Sequence, residues 1–372
     1  MIPGLDGLRA IAYLLIFFFH AKYLELGWIG VQFFFVLSGF LITGILLDMK
    51  EKLPARNYFL KFYGRRFLRI FPLYYFYLAA MGLLIAWLIS NNYRVGWLEL
   101  FNKQVGYAIF YVYNFFSATI HKTDTYFLTH FWSLSVEEQF YIFWPLIILL
   151  TPEKFRKGLF LAFITFGPIF RIAFYFVHAS GRLGILHPSV SDALYPIPFT
   201  HIDAFALGAY ISRYAIPKAK GQFLLLLGAV PIAGIAAQYL TTGSVGAISA
   251  FGYPILMPNG FQFVWGYSLL NYFFAIVVQL VVRNGMFNRL LEWAPLRYLG
   301  KISYGLYVYH LPVIWFAPEI KSLGLDADIL KPVATVVAFF ATLLIASISY
   351  RFMEKPLLNL KDRFFPVKPN DA

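Results

Sequence analysis

Residues 28–48 read Trp-Ile-Gly-Val-Gln-Phe-Phe-Phe-Val-Leu-Ser-Gly-Phe-Leu-Ile-Thr-Gly-Ile-Leu-Leu-Asp, and no charge falls between Trp28 and Leu47. A helix rises about 1.5 Å per residue and bilayer hydrocarbon is about 30 Å thick, so about 20 apolar residues cross it. The stretch therefore reads as a membrane span. Ten more runs of this kind lie outward from it, at 8–24, 68–90, 104–119, 133–151, 158–178, 199–214, 222–240, 261–282, 302–318 and 332–353. The predicted fold class is an all-α integral membrane protein, a polytopic helical bundle. No soluble domain fits between the runs, and no internal repeat stands out. The expected organisation is a transmembrane core over 1–357 and a short basic tail over 358–372.

Composition agrees. Of 372 residues, 60% are hydrophobic and 13% charged, against about 45–50% and about 25% in soluble domains. Mean hydropathy is +0.66. A soluble single domain and a disordered chain are both excluded. Aromatic residues reach 20%, which suits the lipid interface. The absence of cysteine removes disulfides, zinc–thiolate sites, iron–sulfur clusters and cysteine nucleophiles.

Lys and Arg number 31 against 18 Asp and Glu, a net charge of +13. The basic residues cluster in short loops between apolar runs. That is the positive-inside pattern rather than a nucleic-acid surface. It places the loops at 49–66, 152–157, 215–221 and 284–300, and both termini, in the cytoplasm. Three runs then lie between two cytoplasmic ends, at 69 and 152, where an even number of crossings is needed. One of the three is expected to be re-entrant, interfacial or paired with an unseen span, and the shortest, 104–119, is the candidate, leaving about ten crossings. No cleavable signal peptide is expected, because no small-residue cleavage site follows the first run.

Ionisable residues inside a span are costly and mark candidate sites. Arg9 and His20 are eleven positions apart on the first span, within about 20° of one helix face and about 16 Å apart along it. Asp6 shares that face. The other reading is an interface anchor and a packing histidine. Arg65, Arg66 and Arg69 precede the third span, where Pro72 loosens the helix. Guanidinium forks bind phosphate bidentately, although basic anchoring explains such clusters too. Trp132-Ser-Leu-Ser-Val-Glu137-Glu138-Gln-Phe-Tyr141 opens the fifth run; capping explains one glutamate, not two. Glu137 and Tyr141 share a face. Later runs add His201, Asp203, His310 and Glu354. The chain has no P-loop, dinucleotide-binding glycine motif, nucleophile elbow or zinc helix.

Taken in order, these segments resemble the membrane acyltransferase family 3. Arg9 and His20, Gly30–Ile42, the arginines at 65–69, Trp132–Tyr141, His201-Ile-Asp203-Ala, Ser303-Tyr-Gly305 and Met353-Glu-Lys-Pro356 all match, from residue 4 to about 357. The resemblance implies transfer of an acyl group, usually acetyl, from cytoplasmic acyl-coenzyme A to a hydroxyl of a cell-envelope or exported glycan. It assigns the transfer step to His20. By their own chemistry Glu137 or Glu138 would orient that histidine or stabilise its charge, with Arg9 on the same polar stripe, and Arg65, Arg66 and Arg69 would meet the coenzyme A phosphates at the cytoplasmic face. Asp203, His310 and Trp132 are expected to contact substrate. His20 would act as base or acyl carrier, with no metal. The family often carries an appended extracytoplasmic hydrolase-like domain; the sequence ends without one, so the core unit is expected. The expected partners are the bilayer, that of the bacterial inner membrane, and a carbohydrate or glycolipid acceptor, with no nucleic acid. The competing reading is a secondary transporter, which also uses intramembrane His, Glu and Arg.

Overall fold

The computed structural model describes residues 2–317 and 327–366. The last residue of the run 302–318 and the end of the tail, from 367, lie outside the described residues. Among the described residues the regular structure is helical, with one isolated bridge between Thr119 and Leu186.

The first helix, α1 (Leu5–His20), carries Asp6 in its first turn, where the helix dipole favours an anion. It stops at His20, and Lys22 turns the chain out with a positive φ. The run 8–24 is thus shorter as a helix than the sequence predicts. A 3₁₀ turn leads into α2 (Ile29–Lys52), which contains the uncharged stretch. α3 (Ala55–Ser90) has 36 residues and Pro72 inside it. At about 1.5 Å per residue it outruns the hydrocarbon, so its basic N-terminal turns extend past an apolar slab.

The run 104–119 does not form one helix. It is divided between α4 (Val95–Ile109) and α5 (Tyr113–Ser117), with Tyr111 at φ 54° between them. The hydroxyls of Tyr74 and Tyr75 donate to the carbonyls of Ala108 (2.7 Å) and Ile109 (3.0 Å), supplying partners that a broken helix lacks.

The chain continues through α6 (Phe131–Leu150), α7 (Glu153–Ala179), α8 (Val190–Leu194), α9 (Ile202–Arg213), α10 (Ala219–Thr242) and α11 (Gln262–Asn284). Then come α12 (Asn288–Leu291), α13 (Ala294–Lys301), α14 (Ser303–Phe316), α15 (Ala327–Ser349), a π-helical turn at Tyr350–Glu354, and α16 (Lys355–Phe364). Seven stretches of the described residues are long and apolar enough to cross a bilayer: Glu25–Lys52, Ala55–Ser90, Phe131–Leu150, Glu153–Ala179, Ala219–Thr242, Gln262–Asn284 and Ile329–Lys361. Three more apolar runs form shorter helices, α1, α9 and α14, of 16, 12 and 14 residues.

The chain divides into two compact units. The first comprises residues 1–45, 114–122 and 136–301, and so holds α1, most of α2 and α6, and α7 to α13. In its core α9 is buried along nearly its whole length. α9 meets α2 backbone to backbone: a Cβ at Gly39 would overlap the Phe205 carbonyl, and one at Gly208 would overlap that of Val36. The second unit comprises residues 46–113, 123–135 and 302–372, and contains α3, α4 and α14 to α16. There the Tyr304 hydroxyl donates to the Ile70 carbonyl (3.0 Å), joining α14 to α3 just before Pro72.

Candidate functional site

In the first unit a carboxylate is held by two hydroxyls. Glu137 lies on α6, and Tyr141 is one turn further along the same helix face. Both the Tyr141 hydroxyl and the Ser38 hydroxyl of α2 donate to Glu137 Oε1. The two hydroxyl oxygens are 3.3 Å apart. One turn below, the Trp144 indole N–H donates to Thr43 Oγ1 (2.8 Å), a second polar tie between α2 and α6. Between Glu137 and Tyr141 in sequence, and so on another face of α6, Gln139 exchanges amide hydrogen bonds with Asn114. Glu137 is half-buried and Glu138 buried, so the two adjacent glutamates occupy different environments. A carboxylate gathering two hydroxyls can accept a proton from either, or stabilise charge that develops on a neighbouring base. The sequence reading names Glu137 and notes its spacing to Tyr141, but assigns no role to Ser38 or Tyr141.

Arg9 and Asp6 pair on α1 at 2.9 Å, as their spacing predicts. His20 is the last residue of that helix, half-buried, with its ring 5.1 Å from that of Phe19.

Asp203 lies elsewhere in this unit, in a closed network with no solvent exposure. Arg171 of α7 spends every donor of its fork there. Its Nε donates to the Val264 carbonyl (3.1 Å), and Nη1 to the Thr200 carbonyl (2.5 Å) and Asp203 Oδ1 (3.2 Å). Its Nη2 donates to Asp203 Oδ2 (2.9 Å) and Ser268 Oγ (2.5 Å). Ser268 and Asn271 of α11 also donate to Asp203, at 2.6 and 3.2 Å. The oxygens of Asp203, expected from the resemblance to contact substrate, are taken up within the protein. Arg171 is absent from the sequence-level candidates, although a lone arginine within the run 158–178 was a usable signal. Beside this network His201 Nε2 donates to the Tyr195 carbonyl (2.7 Å), so Nδ1 accepts from the Gln32 amide (2.9 Å).

The second unit holds the arginine cluster. Arg65 Nη1 donates to the Phe365 carbonyl at the end of α16 (2.8 Å). Arg66 lies over the Phe62 ring, 6.0 Å from its centroid. Arg69 is close enough to buried Glu354, in the π-helical turn, for their charges to interact. The Ser349 hydroxyl lies 3.3 Å from Glu354 Oε1 and accepts from Tyr309 (3.2 Å). His310 and Trp132 are both buried. His310 Nδ1 donates to the Tyr307 carbonyl (2.6 Å), and its ring is 5.4 Å from that of His130. His130 in turn donates through Nε2 to the Val308 carbonyl (3.1 Å). Among the described residues, no three His, Asp or Glu side chains are grouped to hold a metal ion.

Residues 2–351 match the family described as an acyltransferase domain. The chain is 30% identical to the O-acetyltransferase OatA of Staphylococcus aureus over 99% of its own length and 59% of that protein. It is 28% identical to the peptidoglycan O-acetyltransferase OatA of Listeria monocytogenes, over 96% of its own length and 56% of that protein. The chain thus spans little more than half the length of these relatives. No solved structure matches it.

Proposed function

The chain belongs to this acyltransferase family, and from that premise we propose that it moves an acetyl group from acetyl-coenzyme A to a sugar hydroxyl of peptidoglycan. The observation that carries the reading is the Glu137 carboxylate with the Ser38 and Tyr141 hydroxyls gathered on one of its oxygens. The acceptor is drawn from what the relatives are named for. The proposed setting is a multi-pass plasma membrane protein with about ten crossings and both termini cytoplasmic, following the basic loops.

The proposed step is an acyl substitution. The acceptor hydroxyl gives its proton to His20, its oxygen forms the ester bond to the acetyl carbon, and the carbon–sulfur bond breaks. Coenzyme A leaves as the thiol after regaining a proton. A histidine titrates near neutrality, so it can take and return that proton without a permanent charge. Glu137, acting with Ser38 and Tyr141, is proposed to offset the positive charge that His20 acquires. Should the acyl group rest on His20 first, a carbon–nitrogen bond replaces the carbon–sulfur bond and the thiol leaves; the acceptor oxygen then replaces the histidine nitrogen, with its proton passing to Glu137. Arg65, Arg66 and Arg69 are proposed to take the phosphates of the donor, with Arg9 supporting the transfer end. Trp132 and His310 remain proposed substrate contacts, whereas Asp203 is given a different role below. The transporter reading draws no support from the acyltransferase match.

The test is release of coenzyme A thiol by the purified protein in detergent, with and without glycan acceptor. The chain has no cysteine, so a thiol reagent reports coenzyme A without protein background. Acceptor-dependent thiol release together with ester formation on the glycan supports the reading. No release under either condition, with movement of glycan across liposomes, overturns it.

A further inference from the structure

The transfer step uses neither Arg171 nor Asp203, yet every donor of the Arg171 fork and both oxygens of Asp203 are paired. A buried ion pair adds little net stability, because desolvation offsets attraction. What it does specify is geometry, since a guanidinium fork and a carboxylate fit in few arrangements. Here that geometry joins three helices: Arg171 on α7, Asp203 on α9, and Ser268 and Asn271 on α11. Gly167 lets the α7 backbone lie directly against Asp203.

α9, fixed in this way, touches both helices of the Ser38–Glu137–Tyr141 cluster. Gly208 and Phe205 press on α2 at Gly39, the residue after Ser38, with no side chain between to absorb a shift. The Phe205 ring also stacks on that of Phe140, the residue before Tyr141, at 4.1 Å and 14°. A displacement of α9 is therefore passed to α2 and α6 one residue from the cluster on each. Misplacement by about 1 Å can cost about 100-fold in rate.

We propose that Arg171 and Asp203 are positioning residues that set, through α9, the register of α2 against α6 on which the Ser38–Glu137–Tyr141 cluster depends. The proposal rests on reading that cluster as part of the transfer site.

The test pairs kinetics with a spectroscopic reporter. Trp144 of α6 donates to Thr43 of α2, so its resonance in 5-fluorotryptophan-labelled protein reports the register; Trp144→Phe assigns it. The main variant is the double substitution Arg171→Met with Asp203→Leu, which leaves no unpaired charge behind. In folded double variant, kcat should fall about tenfold or more while KM for acetyl-coenzyme A stays within about twofold. The Trp144 resonance should move or split. An unmoved resonance, or a kcat within about twofold of the parent, overturns the proposal. Where the double variant does not fold, Ser268→Ala and Asn271→Ala decide, the first removing the bonds of one hydroxyl to Arg171 and Asp203 and the second a single bond to Asp203. A moved resonance with a kcat loss of about threefold supports the proposal, and parental behaviour in both overturns it. A parent protein that transfers no acetyl group overturns the functional reading, and the resonance still decides whether the pair sets the register.

Discussion

Glu137→Gln separates a chemical from a structural role for the Ser38–Glu137–Tyr141 cluster. Glutamine keeps the shape of the side chain and an oxygen that can still accept from both hydroxyls. It loses the charge and the capacity to offset or accept a proton. Hydrogen bonds to a charged group contribute about 1.5–3 kcal/mol and neutral ones about 0.5–1.5. Two bonds weakened from one class to the other cost about 2–3 kcal/mol, and less for a half-buried pair, since polar contacts within membrane proteins average only about 0.6 kcal/mol. The purified variant should therefore fold, with a modest fall in its thermal midpoint. Loss of a positioned proton-transfer partner costs at least about 100-fold, which is about 2.7 kcal/mol in the barrier. The expected result is a fall of that size in thiol release at saturating acetyl-coenzyme A, with donor binding unchanged. If Glu137→Gln loses thermal stability yet transfers within about threefold of the parent, the carboxylate serves packing alone and the reasoning fails.

His20→Asn keeps polarity but shuttles no proton near neutral pH; it should bind acetyl-coenzyme A like the parent and lose transfer by about 100-fold or more, measured by thiol release, and retained transfer would remove His20 from the mechanism. Arg69→Ala should weaken donor binding by about 1.5–3 kcal/mol, the scale of a charge-assisted bond, measured by titration with coenzyme A; parental binding would leave Arg69 as an anchor or a partner of Glu354. A single cysteine at the exposed Lys157 should react with an impermeant thiol reagent only from the cytoplasmic side; labelling from outside would reverse the assignment of the middle spans. Lys157 suits this test better than the neighbouring Arg156, which is buried.

The helical architecture was legible because lipid asks for so little. A run of about 20 apolar residues must be helical there, since nothing else satisfies its backbone. Where helices end depends instead on single backbone choices. Lys22 at positive φ stops α1 four residues before its apolar run ends, and Tyr111 at positive φ divides α4 from α5 within one Tyr- and Phe-rich run. Hydropathy carries no trace of either. The basic loops suggested that 104–119 does not cross, and the break at Tyr111 gives that suggestion a local physical basis.

For the site, what one helix carries was readable and what two helices share was not. Glu137 and Tyr141 are related by a helical turn, as are Asp6 and Arg9, and both pairs follow from spacing alone. Ser38 reaches Glu137 across 99 positions of sequence, and Arg171 reaches Asp203 across 32. Within a run such as 28–48 a serine reads as a small packing residue, and nothing in the periodicity says which helix faces it. Asp203 shows the consequence. A buried acid in an apolar run must have a partner, but sequence leaves open whether that partner is a ligand or an arginine of the same chain. Insertion energetics treat Arg171 and Asp203 as two separate penalties. Only their meeting turns two costly charges into one rigid joint, and a joint between α7, α9 and α11 has consequences for α2 and α6 that neither residue announces by itself.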